Sequence, residues 1–215
     1  LDAGLGECVF QGDILDESLP ARLGAFDAVS MIDVIEHVLD APRALRQAVT
    51  LLKPGGVALL EIPNRDSLRF VAADGHFNLF GITLLDRPDA MAYHRRFFHF
   101  DYDVGEYLPL GDYQAQLAAL GCECSVIASP FHPPRPAAEL PGLLAQVRSA
   151  HQRYRETQAG ALGLELDAAL EIRLSGYLSG FLEHYQRLGD DPGAFPAFES
   201  RYLTDFWTLL ARKTR

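Results

Sequence analysis

The sequence predicts an α/β fold: a doubly wound, mostly parallel sheet with helices packed on its faces. Three observations carry that expectation. Short apolar runs that read as buried strands alternate with stretches of helical period. One of those runs, VALLEIPN (Val57–Asn64), is apolar almost throughout, as a strand covered on both faces must be. The joins between strand, helix and strand are short, which implies right-handed parallel crossovers.

In chain order, CVFQGDI (Cys8–Ile14) reads as a first short strand and AFDAVSMI (Ala25–Ile32) as a second. DAPRALRQAVTLLKPGG then carries full helix punctuation. Asp40 suits the N-cap and Pro42 the first turn, and Leu45, Ala48, Val49 and Leu52 make one apolar face. Lys53 stands at the negative end of the helix dipole, and Pro54-Gly55-Gly56 is expected to stop the helix before strand VALLEIPN. Residues 65–107 are irregular and rich in aromatics. Leu110–Leu120 reads as a helix stopped by Gly121, and CECSVIASP (Cys122–Pro130) as another strand. Helical stretches are expected at Leu143–Gln158 and Leu162–Leu188. In the second, Leu166, Leu170, Leu174, Leu178 and Leu182 form an apolar stripe, either lobe core or a homodimer face. YLTDFWTLLARK (Tyr202–Lys213) closes the chain with a strand.

Composition narrows the function. With 19 Lys and Arg against 29 Asp and Glu, the net charge of −10 argues against a nucleic-acid partner, which needs clustered cations. No apolar run approaches the roughly 20 residues that cross a bilayer. Three cysteines, Cys8, Cys122 and Cys124, show no framework spacing and fit a reduced, cytoplasmic setting. Cys122 and Cys124 share a strand face, either as small half-buried hydrophobes or as a metal pair.

The opening LDAGLG imitates a nucleotide-binding glycine turn. Two crossovers of about 30 residues each should separate such a turn from the AFDAVSMI strand. Only residues 7–26 do, so LDAGLG is read as the tail of a helix or loop. The first strand, its glycine turn and an acidic ribose-binding residue are then expected upstream of Leu1.

The block FDAVSMIDVIEHVLDAPRALRQAVTLLKPGGVALLEIPN resembles the second half of the class I S-adenosylmethionine-dependent methyltransferase domain, in the branch of the ubiquinone-biosynthesis O-methyltransferases. Phe26-Asp27-x-Val29, Glu36-His37, Leu52-Lys53-Pro54-Gly55-Gly56 and Pro63-Asn64 carry the resemblance. It covers about Cys8–Asn64, with weaker support at Leu110–Pro130 and at the C-terminus. It implies a Rossmann-like, N-terminally incomplete domain over 1–136 and 198–215, with a helical insertion at 137–197 before the last strand.

The resemblance also implies residue roles. Asp13 would accept from the adenine amino group, or else merely cap a turn, and Ile14 would lie beside the ring. Met31 and Ile32 would line the methionine side of S-adenosylmethionine, or else be core. His37 would act as a general base or substrate contact, or shape the wall together with Glu36. Some relatives with Glu-x-x-Glu-His here bind Mg²⁺, which makes Asp33, Glu36 and His37 a tentative ligand set with His94 as a distant member. His94, Arg95 and Arg96 in YHRRFFHF, together with Asn64, are candidates for substrate binding, the arginines as a clamp on an acidic group or as part of a packed lid. The expected activity is methyl transfer, at oxygen, to a small-molecule or glycan-type acceptor away from membranes. The alternatives are an RNA-directed 2′-O-methyltransferase and a binding protein that keeps the fold without the chemistry. A nicotinamide-dependent dehydrogenase is disfavoured by KPGG leading into a strand that ends Pro-Asn.

Overall fold

The computed structural model describes residues 9–105, 107–129 and 131–214. Strands β1 (Phe26–Ile32), β2 (Leu52–Pro63), β3 (Cys122–Ile127) and β4 (Phe206–Lys213) form a sheet of order β1-β2-β4-β3. β1 pairs parallel with β2, while β4 lies antiparallel to both β2 and β3. Three strands therefore run one way and β4 alone runs against them, the mostly parallel Rossmann-like arrangement expected.

Local chemistry explains the elements around the sheet. Helix α1 (Leu19–Leu23) follows a loop, and α2 (Ala41–Thr50) fills the β1–β2 crossover. The Asp40 side chain accepts from the Arg43 N–H at 3.0 Å, a cap of about 1 kcal/mol. Leu45, Ala48 and Val49 are buried against the sheet. Pro54-Gly55-Gly56 falls inside β2 rather than ending the helix, next to a register shift between Phe26 and Ala28. Lys53 pairs with Asp27 at 2.8 Å, an exposed contact of little worth. Helix α3 spans Leu68–Ala72, α4 Arg87–Phe97 and α5 Leu110–Ala119, the last ended by Gly121 at φ 78°.

CVFQGDI is not a strand among the described residues. Val9 and Phe10 are exposed, and the chain turns at Asp13, whose side chain accepts from the Leu15 N–H at 2.9 Å. With no neighbouring strand to receive its ladder bonds, the Gly-Asp turn signal prevails.

Between β3 and β4 come α6 (Leu140–Thr157), α7 (Ala159–Leu162), α8 (Leu164–Asp190) and α9 (Phe195–Tyr202). Their apolar faces share one core with Leu68, Val71, Phe80 and Tyr93, so residues 68–107 build this layer together with the stretch expected at 137–197. The leucine stripe of α8 is core only in part. Leu166, Leu170 and Leu174 are buried, whereas Leu182 is 55% exposed and Tyr177 and Phe181 take over the inward face. Steps of four residues advance about 40° beyond a full turn, so the stripe rotates out of the interface. The sheet has its own core, where Met31, Leu60, Leu117, Trp207 and Leu209 meet α2 and α5. Cys122 and Cys124 are free thiols, Cys122 buried and Cys124 half-buried, as the small-hydrophobe reading requires. No helix among the described residues is long and apolar enough to cross a membrane.

Candidate active site

Ligands in open parallel sheets sit beyond the carboxyl ends of the strands. There, at the ends of β1 and β2, lies a cleft of about 320 Å³ lined by Asp33, Glu36, His37, Arg69, His76 and His132, among others. An adjoining cavity of about 500 Å³ shares Arg69, Phe70 and Gly75 with it and extends to α6 at Gln146, Ser149 and Arg153.

The first wall follows β1. Asp33 adopts φ 52°, a left-handed conformation that Asp tolerates, and this breaks the strand into a 3₁₀ turn over Ile35–His37. IDVIEHV is therefore a tight turn, and it does not set Asp33, Glu36 and His37 side by side on a helix face. Ile35 anchors the turn in the core, Glu36 points inward at 2% exposure, and His37 is exposed to the cleft. The segment Asp103–Gly105 pins the turn from outside. His37 Nδ1 lies 3.2 Å from the Asp103 carbonyl, and the Gly105 N–H donates to the Glu36 carbonyl. A Cβ on Gly105 would come within 2.6 Å of the Val38 carbonyl oxygen, so only glycine permits this approach.

The electrostatics of this wall are unusual. Glu36 Oε2 is buried without a hydrogen-bond partner, and burial pushes its carboxyl pKa up toward the neutral form. His76 stands edge-on to His37 at 5.0 Å between ring centres, with its Nδ1 3.1 Å from the Tyr107 hydroxyl. Burial, followed by the neighbouring His37, lowers the His76 pKa, and burial raises that of Tyr107. Burial thus opposes charge on Glu36, His76 and Tyr107 alike. Glu36, His37 and His76 bring one donor atom each within 4.8 Å of one another. Asp33 is not part of that group, and His76 takes the place anticipated for a distant histidine. Two imidazoles and one carboxyl biased toward protonation do not match Mg²⁺, which prefers an octahedron of oxygens.

The second wall follows β2 and β3. His132 stacks on Phe206 at 4.3 Å and reaches the buried Glu61 with its Nδ1 at 2.9 Å. Arg69 is held by Asp205 at 3.1 Å, as is Arg135 at 2.8 Å. Burial opposes ionisation of Asp205, but the hydrogen bonds from Arg135 and Ser67 outweigh it and the pKa falls.

The remaining sequence candidates are spread across the molecule. Asp13 is exposed and closes its own turn, its second oxygen without a hydrogen bond among the described residues, and Ile14 is half-buried on the sheet core. Met31 is buried in the core and Ile32 is exposed, because successive strand residues face opposite ways. Asn64 is wholly buried and its amide is spent internally. It donates to the Ser200, Arg201 and Thr204 carbonyls, and its oxygen accepts from the Asp66 N–H. It ties β2 to the start of β4 rather than facing a substrate. His94 is also fully buried, enclosed by Phe77, Phe98, Phe100 and Tyr102, with neither ring nitrogen hydrogen-bonded. It lines neither cavity. Arg95 and Arg96 lie on the exposed face of α4 outside the cleft, so the clamp is not assembled there. Leu1–Glu7 and Cys8 lie outside the described residues.

His76, Glu61, Arg69, Tyr107 and His132 were not singled out from the sequence. Two of the five carried a signal. Glu61 is a lone acid in an otherwise apolar strand, and such a group must be paired. His132 comes just after the carboxyl end of a strand, where sites form.

The fold and this cleft define a class of protein, and sequence comparison agrees. The profile of the family described as methyltransferase domain matches residues 8–125 of the 215-residue chain, which belongs to that family. Among curated proteins, the ubiquinone biosynthesis O-methyltransferase of Chromobacterium violaceum is 40% identical over 58 residues, 26% of this chain and 25% of that protein. That of Xanthomonas axonopodis is 42% identical over 52 residues, 24% and 22% of the two chains. The match thus spans about a quarter of those relatives' length. Among solved structures, the YcgJ protein of Bacillus subtilis aligns over 96% of this chain and 70% of that one, at 13% identity and a TM-score of 0.42.

Proposed function

We propose that the cleft transfers a methyl group from S-adenosylmethionine to an oxygen of a small-molecule or glycan-type acceptor. The observation that carries this reading is a buried, unpartnered carboxyl oxygen on Glu36 beside His37 and His76, at the strand ends of a methyltransferase-domain chain. The names of the curated relatives support oxygen as the atom methylated. A reducing cytoplasm suits the free thiols of Cys122 and Cys124.

When bound, S-adenosylmethionine supplies a methyl carbon made electrophilic by a positively charged sulfur. The chain's residues suit such a guest. The exposed Asp33 carboxylate ends β1 next to the exposed apolar face of Ile32, a fitting seat for a cationic methionine half. The second Asp13 oxygen and Ile14 would face the adenine. Because a carbonyl only accepts, the contact with Asp103 places the proton of His37 on Nδ1 and leaves a lone pair on Nε2. The open Oε2 of Glu36 lies beside the same position. The adjoining cavity, with Gln146, Ser149 and Arg153, gives a polar acceptor room. Displacement at a methyl carbon needs alignment above all, and the pinned turn provides it.

Calorimetry tests the reading. S-adenosylmethionine and S-adenosylhomocysteine should both bind, with no heat from NAD. Binding of NAD alone would overturn it.

A further inference from the structure

A carboxylate inside a sheet is costly unless every lone pair is used. Glu61 of β2, 1% exposed, has three donors on its two oxygens. Its Oε1 accepts from His132 Nδ1 at 2.9 Å, and its Oε2 accepts from Ser129 Oγ at 2.6 Å and from Thr208 Oγ1 at 3.1 Å. Thr208 is the direct cross-strand neighbour of Glu61. Ser129 Oγ also accepts from the His132 N–H at 2.8 Å and the Phe131 N–H at 3.1 Å, so the turn bearing the imidazole hangs on the same carboxylate. Phe206 stacks on the ring. With the Nδ1 proton committed to Glu61, Nε2 carries a lone pair, and the side chain is 40% exposed in the cleft.

We infer that His132 is the base that takes the acceptor's hydroxyl proton, and that Glu61 is the positioning residue that fixes its tautomer. The inference rests on the methyl-transfer reading for the reaction it serves. In that reaction the acceptor oxygen bonds to the methyl carbon as the carbon–sulfur bond breaks. The bonding pair stays on sulfur, and the hydroxyl proton moves to His132 Nε2, then to solvent. His37 is the poorer sink. An imidazolium at His132 faces the Glu61 carboxylate. One at His37 has the His76 ring and the Asp103 carbonyl beside it, and no hydrogen bond to a carboxylate among the described residues. Asp33 and Arg69 also line the cleft, and the carboxylates of Asp74, Asp103 and Asp33 bear on His76 next to His37.

Nitrogen-15 spectra of the histidine rings read the tautomer without any acceptor. Wild-type His132 should carry its proton on Nδ1. In Glu61→Gln the two hydroxyl donors keep the amide oxygen at the Oε2 position, so the amide NH₂ faces Nδ1 and drives the proton to Nε2. A wild-type Nε2–H tautomer, or no change in Glu61→Gln, would overturn the pairing. His132→Gln, at a partly exposed position, keeps the test open if Glu61→Gln fails to fold. With phenol, catechol and methyl glucoside as acceptors, it should lower turnover at least about 100-fold and leave S-adenosylhomocysteine affinity within about twofold. A loss under about tenfold, or an equal loss of affinity, would remove His132 as the base. If wild type methylates none of the three, the reaction reading fails, and the tautomer spectra still decide the pair.

Discussion

The two walls of the cleft hold the same kinds of group in opposite condition. On the wall after β1, Glu36 is buried with an oxygen unpartnered, and His37 and His76 meet edge to face at 5.0 Å. On the wall after β2 and β3, Glu61, Asn64 and Asp205 are equally buried, and each is held by several hydrogen bonds. Burial alone therefore does not mark a functional group. A buried polar atom left open is available to a ligand, whereas a satisfied one fixes the position of something else.

Breaking the closed wall should cost the most. Asn64→Ala strands the Ser200, Arg201 and Thr204 carbonyls and should lower unfolding free energy in urea by about 3 kcal/mol. A loss below about 1 kcal/mol would mean that the latch is not structural. Next comes Gly105→Ala, whose methyl would collide with backbone at 2.6 Å and push the Glu36–His37 turn out of place. It should cost about 2 kcal/mol and weaken S-adenosylhomocysteine binding in the same calorimetric assay.

At the open oxygen of Glu36 the sign reverses. Glu36 has a raised folded pKa, so its contribution to stability is complete below its unfolded value of 4.5 and is lost as pH rises through the folded value. Glu36→Gln should therefore raise Tm relative to wild type at pH 7, with the gain shrinking toward pH 4. A variant less stable than wild type at pH 7 would place a partner on Glu36 and erase the contrast between the walls. The gain is the smallest of the three effects.

Much of the scaffold could be read in the sequence because its signals are local. The Asp40 cap, the apolar run of β2 and Gly121 after α5 each act within a few residues. The aromatic segment at 65–107 hid α3 and α4, because short helices lined by Phe, Tyr and His show no clean apolar period. The site was half visible. Glu36 and His37 line the cleft, where a single left-handed residue, Asp33, sets a tight turn that residue spacing alone does not show. Strand alternation already forbade Met31 and Ile32 from facing the same ligand. His76 and His132 reach the cleft through folding of loops from distant parts of the chain, which no spacing rule reveals. The pairing of Glu61 with Thr208 is likewise set by β4, far away in sequence.

The account's central claim is that the cleft between these walls receives the methyl donor. Ring carbon–proton spectra of the histidines, recorded while S-adenosylhomocysteine is added, address it most directly. The account predicts shifts at His37, His76 and His132, with His151 on α6 and His184 on α8 unmoved. Shifts confined to His151 or His184, or saturated binding that leaves the three cleft histidines untouched, would contradict it.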